Sequence, residues 1–253
     1  MFSKAIVRKP GKSIVDGLTS ANLGVPDYNK AIKQHQSYIN ALTECGLEII
    51  ILEADEYYPD STFVEDTALL TPRCAIIMNP GAPSRKGEIV VIKNVVSHFY
   101  ANIEQINAPG TVEAGDIMMV GNHFYIGISE RTNAEGANQL INILAKYNMN
   151  GSIITLEKVL HLKTGVAYLE DNCLVVTGEL STCPEFNNFI KIEVPEEESY
   201  AANCIWVNDK VIIPAGYPIT KRKIESRGYS VIETDVSEFQ KVDGGLSCLS
   251  LRF

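Results

Sequence analysis

Residues 117–130, IMMVGNHFYIGISE, decide the fold. An apolar run meets Gly-Asn and is followed by a second apolar run, the pattern of a β-hairpin. The shape recurs in residues 68–81 (ALLTPRCAIIMNPG), 167–179 (AYLEDNCLVVTGE) and 204–216 (CIWVNDKVIIPAG). Helical patterns fall between the hairpins. In residues 27–46, Ala31, Ile32, His35, Tyr38, Ile39 and Leu42 share one face, and Gly46 suits the stop. In residues 131–147, Thr132 and Glu135 read as a capping box ahead of the stripe Ala137, Leu140, Ile141 and Leu144. A third helix is expected in residues 219–228, ended by Gly228, while residues 87–100 suit a helix or a strand. Two helix exits share one order of helix, glycine, apolar strand and acids: TECGLEIIILEADE (43–56) and ESRGYSVIETDVSE (225–238).

The hairpin turns lie near residues 72, 121, 171 and 208. A hairpin–helix–strand unit of that size cannot bury its apolar face alone, so the repetition predicts an α/β fold of like units. No Ser/Gly linker or charge block divides the chain, and residues 1–253 read as a single domain. The acidic PEEES (195–199) reads as a solvated loop or helix start.

Composition narrows the function. Twenty-two Lys and Arg against 31 Asp and Glu leave a formal charge of −9, which argues against a nucleic-acid partner and is compatible with a small cation. The first residues show no apolar core of a signal peptide, and the longest apolar run, around residues 47–52, is too short to span a bilayer. A cytoplasmic location without membrane contact is expected. Six cysteines without CxxC spacing are expected to be free thiols and to form neither a disulfide set nor a metal site.

The chemistry-bearing residues sit where the units begin. Residues 242–253, VDGGLSCLSLRF, set Cys248 behind a Gly-Gly pair, as a nucleophile or as a small core residue opening a last strand. Glu65 and Asp66 stand side by side before one hairpin, with Glu113 and Asp116 before the next. If the pairs lie on strands, one acid of each faces solvent and the other a central cavity. His161 stands at the start of a third hairpin; His35 reads as a packing or surface residue, and His123 as an exposed turn residue. Units circling one axis would bring Glu65, Asp66, Glu113, Asp116, His161, Asn203 and Cys248 to one end.

The chain also resembles the dimethylarginine dimethylaminohydrolases of the guanidino-modifying pentein superfamily. The likeness runs through IVDGLTSANLG (14–24), PDSTFVEDTAL (59–69), PGAPSRKGE (80–88), APGTVEAGDIMMVGNHFYIG (108–127), SERTNAEGA (129–137), LHLKTGVAYLE (160–170), EEESYAANCIWVN (196–208) and DGGLSCLSLRF (243–253). It implies a propeller of five ββαβ units about a pseudo-fivefold axis, the N-terminal residues belonging to the fifth. It implies hydrolysis of asymmetric dimethylarginine or monomethylarginine to L-citrulline and dimethylamine or methylamine, with no cofactor or metal. By position, Cys248 matches the nucleophile, His161 the general acid/base and Glu113 the acid orienting that histidine. Asp60, Glu65 and Asp66 match polar groups around the guanidinium and α-amino ends. Arg85 and Arg131 match the amino-acid end, and Leu18 and Val242 match further substrate contacts. A homodimer is compatible with this reading.

The residue types suit the reaction. A guanidinium carbon is a poor electrophile, and a thiolate is the suitable nucleophile. Acyl transfer needs N–H donors aimed at a developing oxyanion, whereas attack on a cation needs carboxylates around it, as in VED and VEAGD. Two other functions share this chemistry: an arginine deiminase-like hydrolase releasing ammonia, and a binding protein of the same fold that does not turn over.

Overall fold

The computed structural model describes residues 1–253. Strand β1 (Lys4–Arg8) pairs parallel with β2 (Glu48–Leu52). Four hairpins follow, each antiparallel and each extended by a parallel third strand. They are β3 (Ala68–Leu70) and β4 (Ala75–Ile77) with β5 (Ile103–Gln105), then β6 (Ile117–Val120) and β7 (His123–Ile128) with β8 (Asn150–Thr155). Next come β9 (Val166–Tyr168) and β10 (Cys173–Val176) with β11 (Ile190–Glu193), then β12 (Ile205–Val207) and β13 (Lys210–Pro214) with β14 (Ser230–Thr234). The chain returns as β15 (Leu251–Arg252), antiparallel to β1. The result is five sheets of three strands, a five-bladed α/β propeller whose first blade is built from both ends of the sequence.

A helix links the second and third strands in four blades: α1 (Tyr28–Glu44), α2 (Ile89–Val96), α3 (Ala134–Lys146) and Pro218–Glu225. The fourth blade uses short 3₁₀ turns, Gly178–Thr182 and Pro184–Phe186, in that place. Asp27 caps α1 by accepting the Lys30 N–H at 3.0 Å, and the face Ala31, His35, Tyr38, Ile39, Leu42 is buried. Residues 87–100 resolve as a helix because Ile92 and Val96, four apart, are buried together. The expected capping box at Thr132 does not form. Asn133 is the cap, accepting from the Gly136 N–H at 2.8 Å, and the buried Thr132 hydroxyl instead accepts the Glu113 N–H at 3.1 Å. PEEES opens a 3₁₀ helix, Glu196–Ala202. Its Glu198 is not solvated: it is buried and accepts the Ile219 and Thr220 N–H groups that start the last blade's helix. His123 is the first residue of β7 rather than a turn residue, held to Ser152 Oγ at 2.8 Å.

The apolar core is divided into five clusters, one at each junction between blades. Ile6 and Leu251 meet Ala68 and Ile77; Ile76 meets Ile117 and Phe124; Met118 meets Val166 and Leu174. Val175 meets Val211 and Ile213, and Ile205 and Ile212 meet Ala5 and Val7. The last junction closes the ring.

Every innermost strand is preceded by a short turn: Val64–Thr67, Ala114–Asp116, Leu162–Gly165, Glu196–Ala202 and Ser247–Leu249. Side-chain oxygens stitch four of the five neighbouring pairs of turns. Asp66 accepts the Gly115 N–H, Asp116 the Leu162 N–H and Asn203 the Ser247 N–H, each at 2.9 Å. Glu65 accepts the Ser247 hydroxyl at 2.8 Å, joining the final turn to the first. These bonds, three of them accepted by carboxylates, bring residues far apart in sequence to one end of the axis.

Candidate active site

At that end lies a cavity of about 40 Å³, lined by Leu18, Asp60, Asp66, Arg85, Glu113, Arg131, His161, Val242 and Cys248. Nine of the ten residues singled out in the sequence therefore share one space, together with Phe63, Leu160, Asp243 and Gly244. Glu65 is the departure. It sits in a 3₁₀ turn with Asp66, not on a strand, and both acids are buried, so neither faces solvent. Asp66 points to this cavity, whereas the Glu65 carboxylate reaches Lys163 Nζ at 2.6 Å and Ser247 Oγ at 2.8 Å.

Cys248 is held by its own turn. The Gly-Gly pair before it allows close approach, and neither glycine has a positive φ; the left-handed residue is Asp243, at φ 56°. A Cβ on Gly244 would lie 2.2 Å from the Phe63 ring, and one on Gly245 would lie 2.5 Å from the Asn203 amide. Tyr38 Oη, fully buried, donates to the Leu246 carbonyl at 2.9 Å and pins the same turn from below. The Gly245 N–H points at Cys248 Sγ from 3.4 Å. Burial above all, then the charges of Glu65 and Asp66, push the thiol up to about 12 against the opposing effect of that N–H.

His161 is fixed through Nε2, which is 2.9 Å from Glu113 Oε2. Burial alone would lower its pKa, but Asp66, Glu113 and Asp116 together raise it to about 9. The imidazole is thus an imidazolium at neutral pH while Cys248 remains a thiol. A Cβ on Gly115 would stand 2.8 Å from Asp66 Oδ1 and 2.9 Å from His161 Nδ1, so only glycine admits both groups. Asp116, fully buried, accepts from Leu162 N–H at 2.9 Å and from Ser129 Oγ at 2.7 Å, fixing the backbone directly after His161.

Arg85 is more committed than its assignment to the amino-acid end suggested. It is buried, binds Asp66 Oδ2 at 2.5 Å, forks onto Glu88 and donates to the Phe63 carbonyl at 2.9 Å. The signal for Glu88 was its i,i+3 spacing from Arg85. Arg131, 4.0 Å from Glu113 and partly exposed, is the freer guanidinium of the cavity. Leu18 contributes through its backbone, its N–H donating to Asp60 Oδ1 at 3.0 Å. Asp243 accepts the Ala21 N–H at 3.2 Å and so holds the loop around Leu18 against the cavity. Its adjacency to the Gly-Gly pair was its only mark in the sequence.

Asp66, Glu113 and His161 bring one potential ligand atom each within 4.8 Å of one another. Their oxygens are already taken by protein donors: Arg85 and the Gly115 N–H on Asp66, and the Ala82 N–H and His161 on Glu113.

Comparison with known proteins agrees with this fold. The family model for eukaryotic N,N dimethylarginine dimethylhydrolase matches residues 26–183. The N(G),N(G)-dimethylarginine dimethylaminohydrolase of Pseudomonas aeruginosa is 62% identical, with both chains covered completely. The chain belongs to the dimethylarginine dimethylaminohydrolase family. Two solved structures of the family superpose with a TM-score of 0.99 at 61% identity, again covering 100% of both chains. One is a His-to-Gly variant as an adduct with S-methyl-L-thiocitrulline. The other is a Cys-to-Ser variant of the Pseudomonas aeruginosa protein complexed with citrulline.

Proposed function

We propose that this member of the dimethylarginine dimethylaminohydrolase family hydrolyses asymmetric dimethylarginine, and monomethylarginine, to L-citrulline and dimethylamine or methylamine. One observation carries the reading: a thiol and a carboxylate-bound imidazole share a small cavity walled by carboxylates. Residues 1–253 act as a single catalytic domain, in the cytoplasm and as a homodimer, on a small molecule and not on nucleic acid. The charge of −9 supports the last point, and no helix is long and apolar enough to cross a membrane.

Asp66 and Glu113, each of whose oxygens keeps a second lone pair beside its protein donor, receive the flat cation by charge-assisted hydrogen bonds, and Arg131 faces the substrate carboxylate. The neighbouring acids that hold Cys248 protonated are offset once a guanidinium lies between them and the sulfur. The thiol proton then leaves to solvent, and the thiolate adds to the central carbon to give a neutral tetrahedral adduct. His161 carries its mobile proton on Nδ1, since Nε2 is engaged by Glu113. It protonates the dimethylamino nitrogen, the C–N bond breaks and dimethylamine departs. A cationic S-alkylthiouronium remains on Cys248. Neutral His161 takes a proton from water as its oxygen adds to the carbon; the C–S bond breaks, releasing citrulline and the thiolate. One water is consumed, and the proton freed at the last step is taken up by the amine.

The test is direct. Citrulline and dimethylamine should appear in equal amounts from asymmetric dimethylarginine, with little ammonia from free arginine. Ammonia as the main amine product would favour the deiminase-like reaction. Binding of dimethylarginine without turnover would favour the non-catalytic reading.

A further inference from the structure

The ring of turns has a second side. There a cavity of about 150 Å³ runs along the axis between the innermost strands, sharing no lining residue with the Cys248 cavity. Its wall is mostly apolar, with Met118, Ala167 and Trp206 among the lining groups. Its one buried carboxylate is Glu65, and both oxygens of that group are used: Oε1 by Lys163 Nζ at 2.6 Å, Oε2 by Ser247 Oγ at 2.8 Å. The other acid on the wall, Glu170, is exposed at its edge.

Arg252 is left over. Its Nη1 donates to Ser250 Oγ at 2.7 Å, and its Nη2 stands 3.9 Å from Glu65, beyond hydrogen-bond distance. Its side chain is only 14% exposed. A guanidinium withdrawn from water needs a hydrogen-bonded anionic partner; its nearest acid, Glu65, is bonded to Lys163 and Ser247 instead, and the buried Arg252 Nε has no partner at all. Two cations against one committed carboxylate make this interior space electropositive in a chain of net charge −9. A carboxylate is the planar group that matches a guanidinium. The apolar wall accepts a hydrocarbon tail, and the volume restricts it to a few carbons.

We propose that the axial cavity is a binding site for a small monocarboxylate with a short apolar tail, gripped by Arg252 with Lys163 beside it. It does not depend on the reaction assigned to the other cavity.

The probe is ¹³C-butyrate, titrated by NMR into the full-length protein at constant ionic strength held with sodium chloride. One saturable, chloride-resistant site is expected. Arg252→Gln should weaken it at least tenfold, Arg252→Lys should restore most of the loss, and Arg131→Gln, in the Cys248 cavity, should leave it intact. Ala167→Leu, which fills the axial cavity from another strand, should abolish the site without touching either arginine, and it decides the matter if Arg252→Gln fails to fold. Absence of saturable binding overturns the proposal. So does a site lost in Arg131→Gln, or one that survives both Arg252→Gln and Ala167→Leu.

Discussion

The Cys248 cavity and the axial cavity are two sides of one ring of turns, and they balance charge differently. Asp60, Asp66, Glu113 and Asp243 line the first beside Arg85, already bound, Arg131 and His161. The second has two cations and a single buried acid. The same turns supply both. Glu65 and Asp66 are consecutive yet serve different cavities, as are Ser247 and Cys248. In a 3₁₀ turn successive side chains fan out by about 120°, so one short segment can furnish two environments. The difference teaches that charge at a propeller axis is assigned residue by residue, not blade by blade.

The largest test of that division is Cys248→Ser. Citrulline formation from asymmetric dimethylarginine should fall by more than about 10³-fold. Butyrate binding in the axial cavity should be unchanged; its loss would mean that the two sides are not separate. Asp66→Asn comes next. It removes a carboxylate from the cation site, and kcat/KM should fall about 100-fold. Arg85 keeps Glu88, so urea denaturation should show a loss of roughly 2 kcal/mol, less than when a buried charge is left with no partner.

Asp116→Asn probes the support behind His161. The amide oxygen can still accept the Leu162 N–H, but the negative charge is gone. The imidazolium pKa, now about 9, should move toward its ordinary value. In the proposed mechanism the acid form protonates the leaving amine, so the basic limb of the kcat profile should shift to lower pH, with a loss of about tenfold at pH 9. An unshifted profile would make Asp116 a purely structural group. Glu65→Gln, the smallest effect, joins the two sides. Its charge helps hold Cys248 up at about 12, so iodoacetamide should alkylate the variant a few-fold faster at fixed pH. Lys163 loses its partner in the same variant, and butyrate should bind more tightly. Opposite movement of either readout would show that Glu65 does not couple the two sides.

Much of the fold was legible because each blade writes itself locally. Asn208 and Asp209, both at positive φ, make the tight turn that CIWVNDKVIIPAG announces. The first blade was not legible in that way, since nothing around residue 5 shows that it pairs with residue 252. In the fourth blade Gly178, at φ 56°, and Pro184 divide the segment into two short 3₁₀ turns where the other blades have a helix. At the site, the convergence of Asp66, Glu113, His161 and Cys248 followed from repetition, because equivalent turns in equivalent units meet at one end. The separation of Glu65 from Asp66 did not. Strand alternation was assumed where a 3₁₀ turn forms, and hydrogen bonds to Lys163 and Ser247, about 98 and 182 residues away, set the direction of the Glu65 side chain.

The two-residue pairing of Leu251–Arg252 with Ala5–Ile6 has a consequence for handling a reactive sulfur. Cys248 lies three positions from that clasp. Four blades are complete without it, but a molecule with the clasp undone has no means of presenting its thiol to the histidine. Turnover is thereby licensed by closure, whereas a half-assembled copy would carry a thiol released from the burial and the acids that hold it protonated.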